Sequence, residues 1–133
     1  MAPPFLIPRT IHHEDNGSVT VFEEGTVPFP VRRAFLVSAS DGHSRGSHAH
    51  RECWQALFVT SGCVTVETTS NNGVELFQLN VNSHGLVIPP MTWATQTYTG
   101  IDSTLLVTCS HLFSERDYIR NFSEFQAVIQ SCY

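Results

Sequence analysis

The chain has 133 residues, a formal net charge of −5, 41% hydrophobic and 14% charged residues, and seven basic side chains, all of them arginine. That length suits one hydrophobic core, expected as a single domain over residues 1–133. An acidic balance with no basic stripe excludes nucleic acid and anionic membrane as natural partners, and the lack of lysine excludes Schiff-base chemistry.

The opening MAPPFLIPRT has neither a charged n-region nor a long apolar core, and no run approaches the roughly 18 apolar residues of a membrane span. A cytoplasmic protein is expected. After it come short runs rich in Val, Thr, Phe and Leu: residues 19–23, 31–38, 55–60, 63–69, 74–79, 86–88, 93–98 and 104–110. Gly62 separates the third run from the fourth, and Asn71-Asn72-Gly73 has the make-up of a hairpin turn. Eight or so short strands at this spacing predict an all-β sandwich or barrel rather than a βαβ sheet.

Only the C-terminus reads as helix. Ser123 and Gln126 have the spacing of a capping box, and Phe125, Val128 and Ile129 follow on one face that predicts docking on the barrel. Cys53, Cys63, Cys109 and Cys132 have no C-x-x-C spacing, which predicts free thiols rather than disulfides or a zinc site.

Two histidines stand one residue apart, His48 and His50, in front of an apolar run. In a strand they share a face. Gly42, five residues, His48-Ala49-His50, four residues, Gln55, six residues, Gly62 resembles the first motif of the cupins, jelly-roll barrels of the double-stranded β-helix kind. Gly85-Leu-Val-Ile-Pro89-Pro-Met-Thr-Trp93-Ala94 resembles the second. The resemblance implies an all-β cupin barrel with a short C-terminal helix. A metal-binding cupin adds a glutamate and a third histidine where this chain has Gln55 and Ala94, so two imidazoles remain and no ordinary metal site is expected. Glu52, two residues after His50, would share its face as a third donor, with no fourth. Metal-free barrel histidines point to proton transfer, because imidazole titrates near neutrality.

PFPVRRAFLV, RGSHAHRECWQ, VIPPMTW and DYIRNFSEF, in that order, resemble the sugar-nucleotide 3,4-ketoisomerases of bacterial deoxysugar pathways, from about Gly17 to Phe125. The resemblance implies a dTDP-linked keto-deoxysugar as substrate and movement of its ketone from C4 to C3 through an enediol, with no cofactor. It implies that His50 takes the C3 proton and that His48 relays a proton between the two oxygens. It implies phosphate or sugar contacts from Arg33 and Arg45, and a homodimer that exchanges N-terminal strands. Gln55 and Gln96 are expected as further substrate contacts. Tyr118 is expected to anchor the C-terminal segment, and Trp54 and Trp93 to be wall residues.

Two positions depart from the family. Phe35-Leu36 stands where it often has a tyrosine, and Ala94 where it has a histidine. The alternatives are a 3,5-epimerase, which pairs its histidine base with a distant aspartate and a tyrosine acid, and a degenerate cupin that binds a sugar without turnover. A metal-dependent oxygenase comes last.

Overall fold

The computed structural model describes residues 2–131, so Cys132 lies outside the described residues. Ten strands and one helix follow in order: β1 (Phe5–Ile7), β2 (Thr10–Glu14), β3 (Gly17–Val21), β4 (Arg33–Ser38), β5 (Ser44–His50), β6 (Gln55–Ser70), β7 (Gly73–Asn80), β8 (Gly85–Ile88), β9 (Trp93–Cys109), β10 (Tyr118–Ile119) and α1 (Phe122–Ser131). A single 3₁₀ turn, Glu115–Asp117, precedes β10. Eight strands form one antiparallel sheet in the order β1-β8-β6-β9-β5-β10, with β4 on β9 and β7 on β6. The β2–β3 hairpin forms a sheet of its own.

The sheet curls because its two longest strands bend. The sequence predicts a break at Gly62, whereas β6 runs through it with register shifts between Val59 and Cys63. Gly62 sits at φ +73, and a Cβ there would collide with Ser103, so only glycine fits this bulge. The break expected after Tyr98 is likewise a bend inside β9, at Gly100 and Asp102, both at positive φ. Each long strand therefore serves both layers. The first half of β6 pairs with the second half of β9, and the second half of β6 with the first of β9. The Asn71-Asn72-Gly73 turn is found as expected, closing the pair Ser70↔Gly73.

Period-two alternation distributes the core. Leu57, Val59, Val64, Val66, Leu105 and Val107 fill the space between the curled layers, while Ala56, Phe58 and Val87 face outward under Ile7 and Val27. Trp54 packs on that outer cluster. The third cluster, Ala49, Met91, Ile119 and Phe125, lies under α1. The predicted stripe is present, with Phe125 buried and Val128 and Ile129 packed beside it.

The cap is two residues earlier than expected. Asn121 Oδ1 accepts from the backbone N–H of Glu124 at 3.0 Å, and Ser123 lies inside the first turn. Starting at Phe122 lets that ring meet Trp93 edge-on at 5.2 Å, which the later start would forgo. No helix among the described residues is long and apolar enough to cross a membrane.

Candidate active site

β5 carries the histidines, and a bulge aims them. Gly46 and Ser47 both sit at positive φ, 87° and 62°, and the register against β9 shifts between Gly46 and His48. Ser47 is a non-glycine residue in the left-handed region, a conformation that costs about 1–3 kcal/mol and is kept only where neighbours hold it. Here its hydroxyl meets that of Thr95 at 3.0 Å. At Gly46 it is the φ of 87° that favours glycine, and a Cβ there would also press on the movable end of the Gln96 side chain and on the Ala94 carbonyl at 3.1 Å.

The expected proximity of the histidines is found. Their rings meet edge-on, centroids 5.0 Å apart, and Tyr118 from β10 leans on both at 4.9 and 4.4 Å. Tyr118 pairs with His50 and Ile119 with Ala49, so the C-terminal segment is anchored as expected while also flanking the site.

The two imidazoles differ in environment. His48 lines a cavity of about 880 Å³ and is held well below its ordinary value, to about 4, by burial first and by the neighbouring His50 second. It is neutral at physiological pH. His50 is 6% exposed; its Nδ1 lies 2.8 Å from Asp117 Oδ2, and its Nε2 is buried without a partner. Asp117 Oδ1 accepts from the backbone N–H of Glu52 at 2.7 Å.

Around the cavity stand Arg33, Arg45, Gln55, Gln96, Tyr98 and Arg120. The Arg33 guanidinium is held over the rings of Phe35 at 4.5 Å and Phe113 at 5.2 Å, and donates to the Tyr118 hydroxyl at 3.4 Å. Arg45 and Gln96 are cross-strand partners and so share a face, as do His48 and Ala94, two residues further along β9. Gln55 faces inward and donates to Cys109 Sγ at 3.6 Å. The four expected contact residues thus line one cavity.

Four residues that sequence reasoning left out of the site also belong here. Asp117 meets His50. Tyr98 puts a buried, unpartnered hydroxyl beside the cavity, and burial raises it to about 12. Phe113 and Arg120 line the rim, the latter 4.2 Å over the Tyr118 ring and bound through Nε and Nη2 to Glu115 at 2.6 and 3.0 Å. The string DYIR was the available signal, since Asp117, Tyr118 and Arg120, three of its four residues, carry side chains into the site.

The buried thiols Cys53 and Cys109 are unbonded, as is the exposed Cys63. The side-chain hydrogen bond with Cys53 first, and burial second, push Cys109 upward, and its sulfur accepts from Gln55. Donor atoms of His50, Cys53 and Asp117 lie within 4.8 Å of one another, a set of the type that can hold a transition metal. Glu52, the third donor expected from the sequence, is not in it; its side chain is exposed, and only its backbone reaches Asp117.

This arrangement can be set beside known proteins. The family model described as FdtA (WxcM-like, C-terminal) matches residues 6–130. The chain belongs to the FdtA family. A TDP-4-oxo-6-deoxy-alpha-D-glucose-3,4-oxoisomerase of Aneurinibacillus thermoaerophilus is 28% identical over 118 residues, 87% of this chain and 85% of the relative. The sugar 3,4-ketoisomerase QdtA of Thermoanaerobacterium thermosaccharolyticum, solved with TDP, superposes with a TM-score of 0.90 at 26% identity, covering 98% of this chain and 96% of that one. The TDP-quinovose 3,4-ketoisomerase WlaRB of Campylobacter jejuni gives 0.85 at 26% identity, over 96% and 99%. The cupin-type, all-β jelly roll with its short C-terminal helix is thereby established for this chain.

Proposed function

We propose that the protein is a sugar-nucleotide 3,4-ketoisomerase that moves the ketone of dTDP-4-dehydro-6-deoxyglucose from C4 to C3 without metal or redox cofactor. Family membership and likeness to named 3,4-ketoisomerases make the chain an enzyme of that class. The sugar and the residue roles are the proposal. The observation that carries it is the pair of adjacent histidines in unlike environments, His48 lining a cavity rimmed by arginine and His50 buried against it.

The chemistry follows from these environments. The C3 proton is acidic because the C4 ketone can take up the electron pair as an enediolate. Nε2 of His50, buried and unpartnered, takes that proton. His48, neutral and beside it, has one nitrogen that donates and one that accepts, so it can protonate O4 and receive the proton of O3. Return of a proton to C4 completes the shift. Arg33 and Arg45 would hold the pyrophosphate by charge-assisted bonds, and Gln55 and Gln96 the sugar hydroxyls. Phe35 and Ala94 offer no polar group at their positions, which leaves Gln96, on the face of Ala94, to make the contact there.

A second reading has one observation in its favour. A histidine bonded to a distant aspartate with a tyrosine beside it is the constellation expected of a 3,5-epimerase, and His50, Asp117 and Tyr118 have that form. Proton NMR in deuterated water with metal-stripped protein separates the two. The ketoisomerase yields a 3-keto sugar with deuterium at C4. Exchange at C3 and C5 with inversion and no ketone migration would establish the epimerase, and binding without exchange a degenerate cupin.

The same reading takes residues 1–133 as one cupin domain acting as a homodimer. In support, the β2–β3 hairpin stands apart from the main sheet with mostly exposed residues, and apolar Val19 and Val31 are 54% and 49% exposed.

A further inference from the structure

We infer that Asp117 is a positioning residue for the isomerisation: its carboxylate holds the Nδ1–H of His50 and so makes Nε2 the basic nitrogen. The inference deepens the proposed function and rests on it for the role of His50. Its physical content is a tautomer. A neutral imidazole carries one N–H and one lone pair, while a carboxylate only accepts. The 2.8 Å contact of Nδ1 with Asp117 Oδ2 therefore fixes the hydrogen on Nδ1 and leaves the lone pair on Nε2.

The carboxylate is itself held. Oδ1 accepts from the Glu52 N–H at 2.7 Å, the Asp117 carbonyl accepts from the Arg51 N–H at 2.8 Å, and the Asp117 N–H donates to the Ser114 carbonyl at 3.0 Å. Both residues flanking His50 on its C-terminal side thus bind the same aspartate. With its side chain 14% exposed, Asp117 has little freedom to turn toward solvent. Tyr118, the next residue, lies against the His50 ring, so one short segment fixes both the ring plane and the tautomer.

Nε2 completes the case. It is buried with no partner, a condition that is unfavourable and survives where surrounding bonds over-determine it. His48 has no carboxylate partner among the described residues. This asymmetry separates a base that becomes cationic beside an anion from a relay that stays neutral.

The test joins NMR to kinetics. In the wild-type protein without substrate, ¹⁵N NMR should show His50 with a protonated Nδ1 and a pyridine-like Nε2. Asp117→Asn offers an amide N–H to Nδ1 and should move the hydrogen to Nε2. It should lower kcat by about 10²- to 10⁴-fold while the KM for the sugar nucleotide stays within about threefold, the split expected when a base is presented in the wrong tautomer. Asp117→Glu, which keeps the charge, should recover part of kcat. A wild-type His50 protonated at Nε2, an unchanged tautomer in Asp117→Asn, or kcat within about twofold would overturn the inference. The wild-type spectrum decides even if the variant does not fold. If the wild type moves no ketone, the functional reading fails, while the spectra still decide the role of Asp117 at His50.

Discussion

Two hollows of similar size open on this chain, one of about 880 Å³ beside His48 and one of about 760 Å³ bordered by Phe22–Val31, Ala34, Leu106 and Thr108. Volume does not distinguish them; chemistry does. The first gathers His48, three arginines and two glutamines from four strands and the C-terminal segment, with His50 buried against His48, and burial there lowers His48 and raises Tyr98. The second is walled by proline, phenylalanine and valine, with Glu23 and Glu24 at its edge. A cavity becomes a reaction site where groups converge that the fold does not need for its own stability. The outer hollow has the character of a surface that another apolar surface covers.

The largest effect should separate the hollows outright. His50→Asn should abolish turnover, a loss of about 10³-fold or more, while His48→Asn should slow it by a smaller factor, as steady-state kinetics would show. Equal and mild losses would remove the distinction between base and relay. Arg33→Ala or Arg45→Ala should raise KM for the sugar nucleotide by about 10- to 100-fold with a smaller change in kcat, since a charge-assisted bond contributes about 1.5–3 kcal/mol. At the outer hollow, Val31→Asp should lower the light-scattering mass from two chains toward one. A wild-type monomer would contradict the dimer itself.

The pH dependence carries a definite sign. His48 is held at about 4 in the folded chain, so between its ordinary 6.5 and about 4 the unfolded chain binds a proton that the folded one does not. Stability should fall with pH across that window, and His48→Asn should lessen the fall in Tm. The smallest effect is expected from Tyr98→Phe, which removes a buried hydroxyl with no protein partner and should leave Tm unchanged or slightly raised.

Strand alternation and motif spacing made much of this legible. His48 and His50 at i and i+2, Gln55 facing inward and Arg45 opposite Gln96 follow from period two once the strands are placed. Glycine was read too simply. At Gly62 it permits a bulge that keeps one strand continuous through a bend, whereas sequence alone cannot tell a bulge from a turn. The contact of Asp117 with His50 could not be read even though DYIR contains it: the two lie 67 residues apart, and only the pairing of β10 with β5 brings them together. The helix cap slipped because Asn121 and Ser123 both fit the local rule, and the packing of Phe122 on Trp93 chose between them.

The division of labour between the histidines is tested most directly by deuterium wash-in at C3 of dTDP-4-dehydro-6-deoxyglucose, followed by NMR in deuterated water for His48→Asn and His50→Asn side by side. His48→Asn should still exchange the C3 proton while ketone migration slows, and His50→Asn should exchange nothing. Deuterium entering C3 in the His50→Asn protein at a rate near that of the wild type would place the carbon base elsewhere and contradict the account.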